Sequence, residues 1–66
     1  MSELIKLEIK NKIATITLNR PQKKNALTLE MLVTLSTIGD NLKGEPNLIS
    51  IIIKGSGGTF CSGIDI

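Results

Sequence analysis

The chain has 66 residues, a single aromatic side chain (Phe60), one cysteine, no histidine, and eight basic against six acidic residues for a formal charge of +2. So small a charge, without Trp or Tyr for stacking, excludes an electrostatic nucleic-acid footprint, and the apolar runs fall far short of the ~20 residues that span a membrane. One cysteine cannot close an internal disulfide, and Glu3 and Lys6 stand where a leader peptide would be basic then apolar, so a cytoplasmic location is expected.

Taken in order, Leu4 to Lys10 alternates, with Ile5, Leu7 and Ile9 on one face and Lys6, Glu8 and Lys10 on the other. That is the period of a half-exposed strand. Asn11-Lys12 breaks the pattern, and asparagine tolerates the left-handed backbone of a tight hairpin. Ile13 to Leu18 then alternates again, with Ala14, Ile16 and Leu18 facing one way, so a hairpin over residues 3–18 is expected. Pro21 pushes Arg20 out of helical geometry and opens a polar loop over 19–27 that carries Arg20, Lys23 and Lys24. Three charges near a turn are ordinarily a solvated loop, although Arg and Lys also suit phosphate.

A helix is predicted over 28–43. Thr28 offers its hydroxyl as a cap and Glu30 favours the N-terminal dipole. Leu27, Met31, Leu35, Ile38 and Leu42 fall on one face, with Met31 read as core filler. Lys43-Gly44 followed by Pro46 predicts a left-handed glycine cap, and Gly39, costly inside a helix by about 1 kcal/mol, is read as a point of close packing. Leu48 to Lys54 is a β-branched run that reads as a strand buried on both faces. Strand, helix and strand make a right-handed β-α-β unit with a hairpin strand added.

That strand empties into Gly55-Ser56-Gly57-Gly58 and then Thr59-Phe60-Cys61-Ser62-Gly63-Ile64-Asp65-Ile66. Ligands in α/β folds gather at the carboxyl ends of strands, so the chemistry is expected over 55–66. A dinucleotide fingerprint begun at Gly55 meets Gly57 but finds Phe60 where glycine is needed. A P-loop begun at Gly58 reaches Gly63 but finds Ile64 where lysine is needed. Without histidine, neither Cys61 nor Ser62 has a partner for nucleophilic catalysis, so both are read as small residues at a tight turn. Asp40 and Asp65 lie far apart in sequence and no His/Cys cluster supports them, so no metal site is expected. What remains is a backbone site, with main-chain N–H groups around Gly63 aimed at a ligand oxygen.

Thr59 to Ile66 resembles the first oxyanion-hole motif of the crotonase (enoyl-CoA hydratase/isomerase) superfamily, and Ile16-Thr17-Leu18-Asn19-Arg20-Pro21 with Asn25-Ala26-Leu27 resembles its N-terminal CoA-binding signature. The resemblance implies an α/β fold, the opening β-β-α-β turns of a crotonase-like spiral, with residues 1–66 the first part of a single truncated domain. It implies an acyl-CoA thioester substrate, with coenzyme A as part of that substrate and no tightly bound cofactor. It also implies a parent protein that assembles as a homotrimer or dimer of trimers.

By position, the Ile64 N–H next to Gly63 becomes a donor to the thioester oxygen. Arg20, Lys23, Lys24, Ala26, Leu27, Ser62, Asp65 and Ile66 are carried over as substrate or CoA contacts, the loop acting through main-chain atoms near Lys24 and Ala26. Ile64 is larger than the residue many members have there, which narrows the acyl pocket and leaves the N–H intact. From its own place after Gly-Ile, Asp65 reads as the cap of a following helix rather than a general base. The family's second oxyanion glycine and its acid/base carboxylates would fall beyond Ile66, so no particular reaction is implied, and the piece alone is expected to be inactive. The competing expectation is a non-catalytic module that docks through an exposed sheet edge and an apolar helix face.

Overall fold

The computed structural model describes residues 4–64. Strand β1 (Ile5–Lys10) and strand β2 (Ile13–Leu18) form an antiparallel hairpin, helix α1 (Leu29–Lys43) follows, and strand β3 (Ser50–Gly55) returns parallel to β2. The sheet order is β1-β2-β3, so β2 is central and the other two strands are edges. The two-residue turn has positive φ at both Asn11 (53°) and Lys12 (67°), the requirement of the hairpin turn whose twist matches its strands.

Register decides which residues share a face. Ile5, Leu18 and Gly55 stand abreast, then Leu7, Ile16 and Ile53, then Ile9, Ala14 and Ile51. The core grows on that face from Ile5, Ala14, Ile16 and Leu18 with Met31 and Leu42 of α1, and Leu27, Leu35, Ile38 and Leu48 pack around it. The helical stripe read from the sequence is therefore the face that meets the sheet. Thr28 caps α1 as its position implied: its Oγ1 accepts a hydrogen bond from the Met31 N–H at 3.1 Å.

Three local expectations are corrected. β3 is not buried on both faces: Ile51, Ile52 and Ile53 are 51%, 46% and 52% exposed. A β-branched run reports what a strand could bury, whereas burial needs a layer on each side. Here the helix covers the hairpin instead, and β3 pairs with β2 alone. For the same reason Leu7 and Ile9, on the correct face of β1, remain exposed beyond the reach of α1.

Gly44 has φ −86° and is not left-handed. Its N–H donates to the Asn41 carbonyl and the Glu45 N–H to the Leu42 carbonyl. These tight i to i+3 bonds satisfy the last carbonyls without a change of backbone hand. Gly39 faces open space, with nothing within 4 Å of where a Cβ would be, so it marks no close contact.

Candidate functional site

The loop after β2 and the glycine-rich segment after β3 leave neighbouring strands at the same end of the sheet, because β2 and β3 are parallel. Pro21–Lys23 makes a single 3₁₀ turn, closed by Lys24 in the left-handed conformation (φ 52°) whose N–H donates to the Pro21 carbonyl. Asn25 is left-handed as well (φ 57°) and completely buried. Its N–H donates to the Arg20 carbonyl at 2.8 Å, and its side-chain Oδ1 accepts from the Arg20 N–H at 2.7 Å. Its Nδ2 donates across the gap to the carbonyls of Ser56 (2.9 Å) and Thr59 (2.6 Å). A buried carboxamide is tolerated only when its hydrogen-bonding capacity is met, and here both protons and the oxygen are used.

Gly55 makes this approach possible. A Cβ there would stand 2.7 Å from Asn25 Nδ2 and 2.5 Å from the carbonyl oxygens of Thr59 and Phe60. Ser56 anchors the other side, donating its N–H to the Leu18 carbonyl at 2.9 Å and setting its hydroxyl 3.1 Å from Asn19 Oδ1.

Past the glycine turn the two segments run side by side. The Ser62 N–H donates to the Lys24 carbonyl at 3.0 Å, the Leu27 N–H donates to the Gly63 carbonyl at 2.8 Å, and Leu27 and Ile64 form a parallel bridge. The bridge orients the next peptide group. Every peptide among the described residues is trans, so the carbonyl of Gly63 and the N–H of Ile64 point in opposite directions. With that carbonyl turned toward Leu27, the Ile64 N–H is turned away from the loop, and among the described residues it has no acceptor. Gly63 has φ +127°, a conformation that side-chain-bearing residues rarely adopt, although space around it is open. It is glycine for its backbone, not for lack of room.

The residues singled out from the sequence thus converge unequally. Lys24, Ala26, Leu27, Ser62, Gly63 and Ile64 lie along one seam, with Lys23 joined to it through the Ser62 hydroxyl, 3.4 Å from the Lys23 carbonyl. The side chains of Lys23 and Lys24 are exposed. Arg20 instead folds back on its own loop, Nη1 donating to the Ala26 carbonyl at 3.1 Å, so its charge braces the turn. Cys61 is half-buried, with its Sγ 3.6 Å from the Gly63 carbonyl. Asp65 and Ile66 lie outside the described residues.

Asn25 was singled out only as part of the Asn25-Ala26-Leu27 signature, and the role of its buried side chain was missed, because an asparagine inside a turn marks backbone hand but not burial. The close backbone approach that a glycine-rich loop implies is met at Gly55. Concavities of 380 and 400 Å³ lie away from this seam, on the open sheet face around Thr15 and beside Leu42 and Ile51. Among the described residues no cluster of His, Cys, Asp or Glu could hold a metal, and no helix is long and apolar enough to cross a membrane.

Comparison with known proteins agrees with this architecture. A solved enoyl-CoA hydratase from Mycobacterium tuberculosis H37Rv superposes with a TM-score of 0.90 at 25% identity, covering 96% of this chain and 28% of that one. An enoyl-CoA hydratase/isomerase from Marinobacter aquaeolei superposes with a TM-score of 0.89 at 36% identity, covering 97% of this chain and 24% of that one. The β-β-α-β arrangement is that of a crotonase fold.

The family model for enoyl-CoA hydratase/isomerase matches residues 8–66, and the chain belongs to that family. Among curated sequences, "Probable enoyl-CoA hydratase 1, peroxisomal" of Arabidopsis thaliana is 41% identical over 54 residues. That match takes in 82% of this chain and 20% of the relative, so the chain spans well under two thirds of the proteins it resembles.

Proposed function

We propose that this chain is the acyl-CoA-binding part of an enoyl-CoA hydratase/isomerase-type enzyme, in which the Ile64 N–H polarises the thioester carbonyl of the substrate. The observation that carries the reading is the Gly63–Ile64 peptide. Its carbonyl is held by the Leu27 N–H at 2.8 Å, and its own N–H faces away without an acceptor among the described residues. Enolate-like charge developing on a thioester oxygen needs donors already aimed at it, because a fixed dipole requires no reorganisation as the charge forms. The neighbouring Lys24–Ala26 main chain is the proposed CoA contact, and the exposed ammonium groups of Lys23 and Lys24 add attraction for phosphate. Coenzyme A enters as part of the substrate. The acid/base groups that would choose between hydration and isomerisation are not assigned to any residue of this chain.

In the complete enzyme, Gly63→Val tests the assignment. A β-branched residue cannot hold φ near +127° without strain, so the peptide rotates and the Ile64 N–H leaves its aim. Turnover is expected to fall by about 10²–10³, the usual cost of one oxyanion donor, with the circular-dichroism spectrum retained. Wild-type turnover in the folded variant rules the donor role out.

A second reading has an observation of its own. The exposed Ile51, Ile52 and Ile53 on edge strand β3, with Leu29 and Val33 on the outer side of α1, suit a module that docks onto a partner chain. That reading gives no role to the Gly63 conformation, and the same Gly63→Val variant leaves docking intact.

A further inference from the structure

We infer that Asn25 is a positioning residue, whose buried carboxamide sets the register between the Lys24–Leu27 loop and the Ser62–Ile64 segment and thereby aims the Ile64 N–H. The inference rests on the oxyanion reading above and adds a residue to it. Asn25 is the one completely buried polar residue among those described. Its Nδ2 holds the carbonyls of Ser56 and Thr59, the two residues that bracket Gly57-Gly58. Its backbone sits between Lys24, which accepts from Ser62, and Leu27, which donates to Gly63. One residue therefore grips both ends of the glycine turn with its side chain and borders the Ser62–Gly63 segment with its main chain.

Only about five positions along the chain lead from Thr59 to Ile64, and the Gly63 carbonyl at the far end is tied to the Leu27 N–H at 2.8 Å. A shift of Thr59 against the Asn25 loop therefore strains that tie and turns the Ile64 peptide. The two contacts also demand an amide. An aspartate could still accept from the Arg20 N–H, but it would face two carbonyl oxygens with an oxygen of its own, and it would have no proton to give them. The site takes the neutral donor and acceptor of asparagine in a left-handed backbone that asparagine tolerates better than most residues.

The test uses the complete enzyme with Asn25→Asp and the gentler Asn25→Ser, in which water can enter the vacated space. It reads kcat and KM for an enoyl-CoA together with the infrared carbonyl stretch of the bound thioester. The wild-type enzyme is expected to lower that stretch relative to free substrate. Each folded variant is expected to lose about a hundredfold in kcat, the scale of a small misplacement at a reacting centre, over and above any change in KM from the neighbouring CoA contact. The carbonyl stretch should move back toward the free value. A purely structural role would lower the melting temperature and leave both the kcat of folded protein and the stretch alone, and that result in either variant overturns the inference. Failure of the underlying reading has a different signature: the wild-type enzyme itself shows no lowered stretch.

Discussion

The hairpin with its helix and the seam between the two loops are held by different chemistries. The first closes on apolar side chains: Ala14, Ile16, Leu18, Met31 and Leu42 are buried, with no polar side chain among them. The second closes on hydrogen bonds, with a buried asparagine at its centre and a glycine next to it. Apolar burial is non-directional and sums over area. It can make the body stable without fixing the direction of any one polar group. Hydrogen bonds act at fixed distances and angles, so the seam can hold one peptide group in one orientation. The stability of the molecule and the accuracy of its candidate site therefore belong largely to different residues, with Leu27 shared by both.

Substitutions should separate the two. Met31→Ala strikes the body hardest: it empties the largest fully buried side chain, and a loss of about 2–5 kcal/mol is expected in denaturant melts. In the proposed complete enzyme, folded Met31→Ala protein should keep its KM, and a large KM change would mean that body and seam are coupled. Thr28→Ala removes the cap bond to the Met31 N–H and should cost about 1 kcal/mol, again without a change in turnover of the folded fraction. Lys12→Gly acts in the other direction. The position has φ 67°, and relieving a left-handed lysine should raise stability by about 0.5–1 kcal/mol, seen as a higher melting midpoint. Asp40→Asn removes an ion pair to Lys43 at 3.7 Å whose side chains are 74% and 83% exposed. Its effect should stay within about 0.5 kcal/mol, because solvent screens so open a pair; a larger loss would show that the helix surface contributes more than exposed pairs ordinarily do.

The strand β3 teaches a related lesson about apolar sequence. Ile51, Ile52 and Ile53 are as hydrophobic as the residues of β2, yet they are exposed while Ala14, Ile16 and Leu18 are buried. Composition states what a segment can bury, and neighbours decide whether it does. Replacing Ile52 with Thr, on the face shared with Thr15, should leave the melting midpoint nearly unchanged and reduce self-association at high concentration. A marked loss of stability would mean that this face is covered in solution.

Much of the fold could be read from local pattern. The strands over Ile5–Lys10 and Ile13–Leu18, the helical stripe through Met31 and Leu42 and the Thr28 cap are near-neighbour effects, and the structure shows each of them, although burial alternates in Ile13–Leu18 and only Ile5 is buried in the first strand. The motifs from Asn19 to Leu27 and from Thr59 to Ile64 were legible too, and with them the family. The sequence by itself thus determined the elements, their order and the class of protein. The tertiary structure alone decided that the faces of β3 stay exposed, that Arg20 braces its own loop, and that Asn25 reaches 34 positions along the chain to the Thr59 carbonyl. Those outcomes depend on which segments the parallel β2–β3 pairing brings together. Contacts across such a distance in sequence leave no period in the chain from which they could be read.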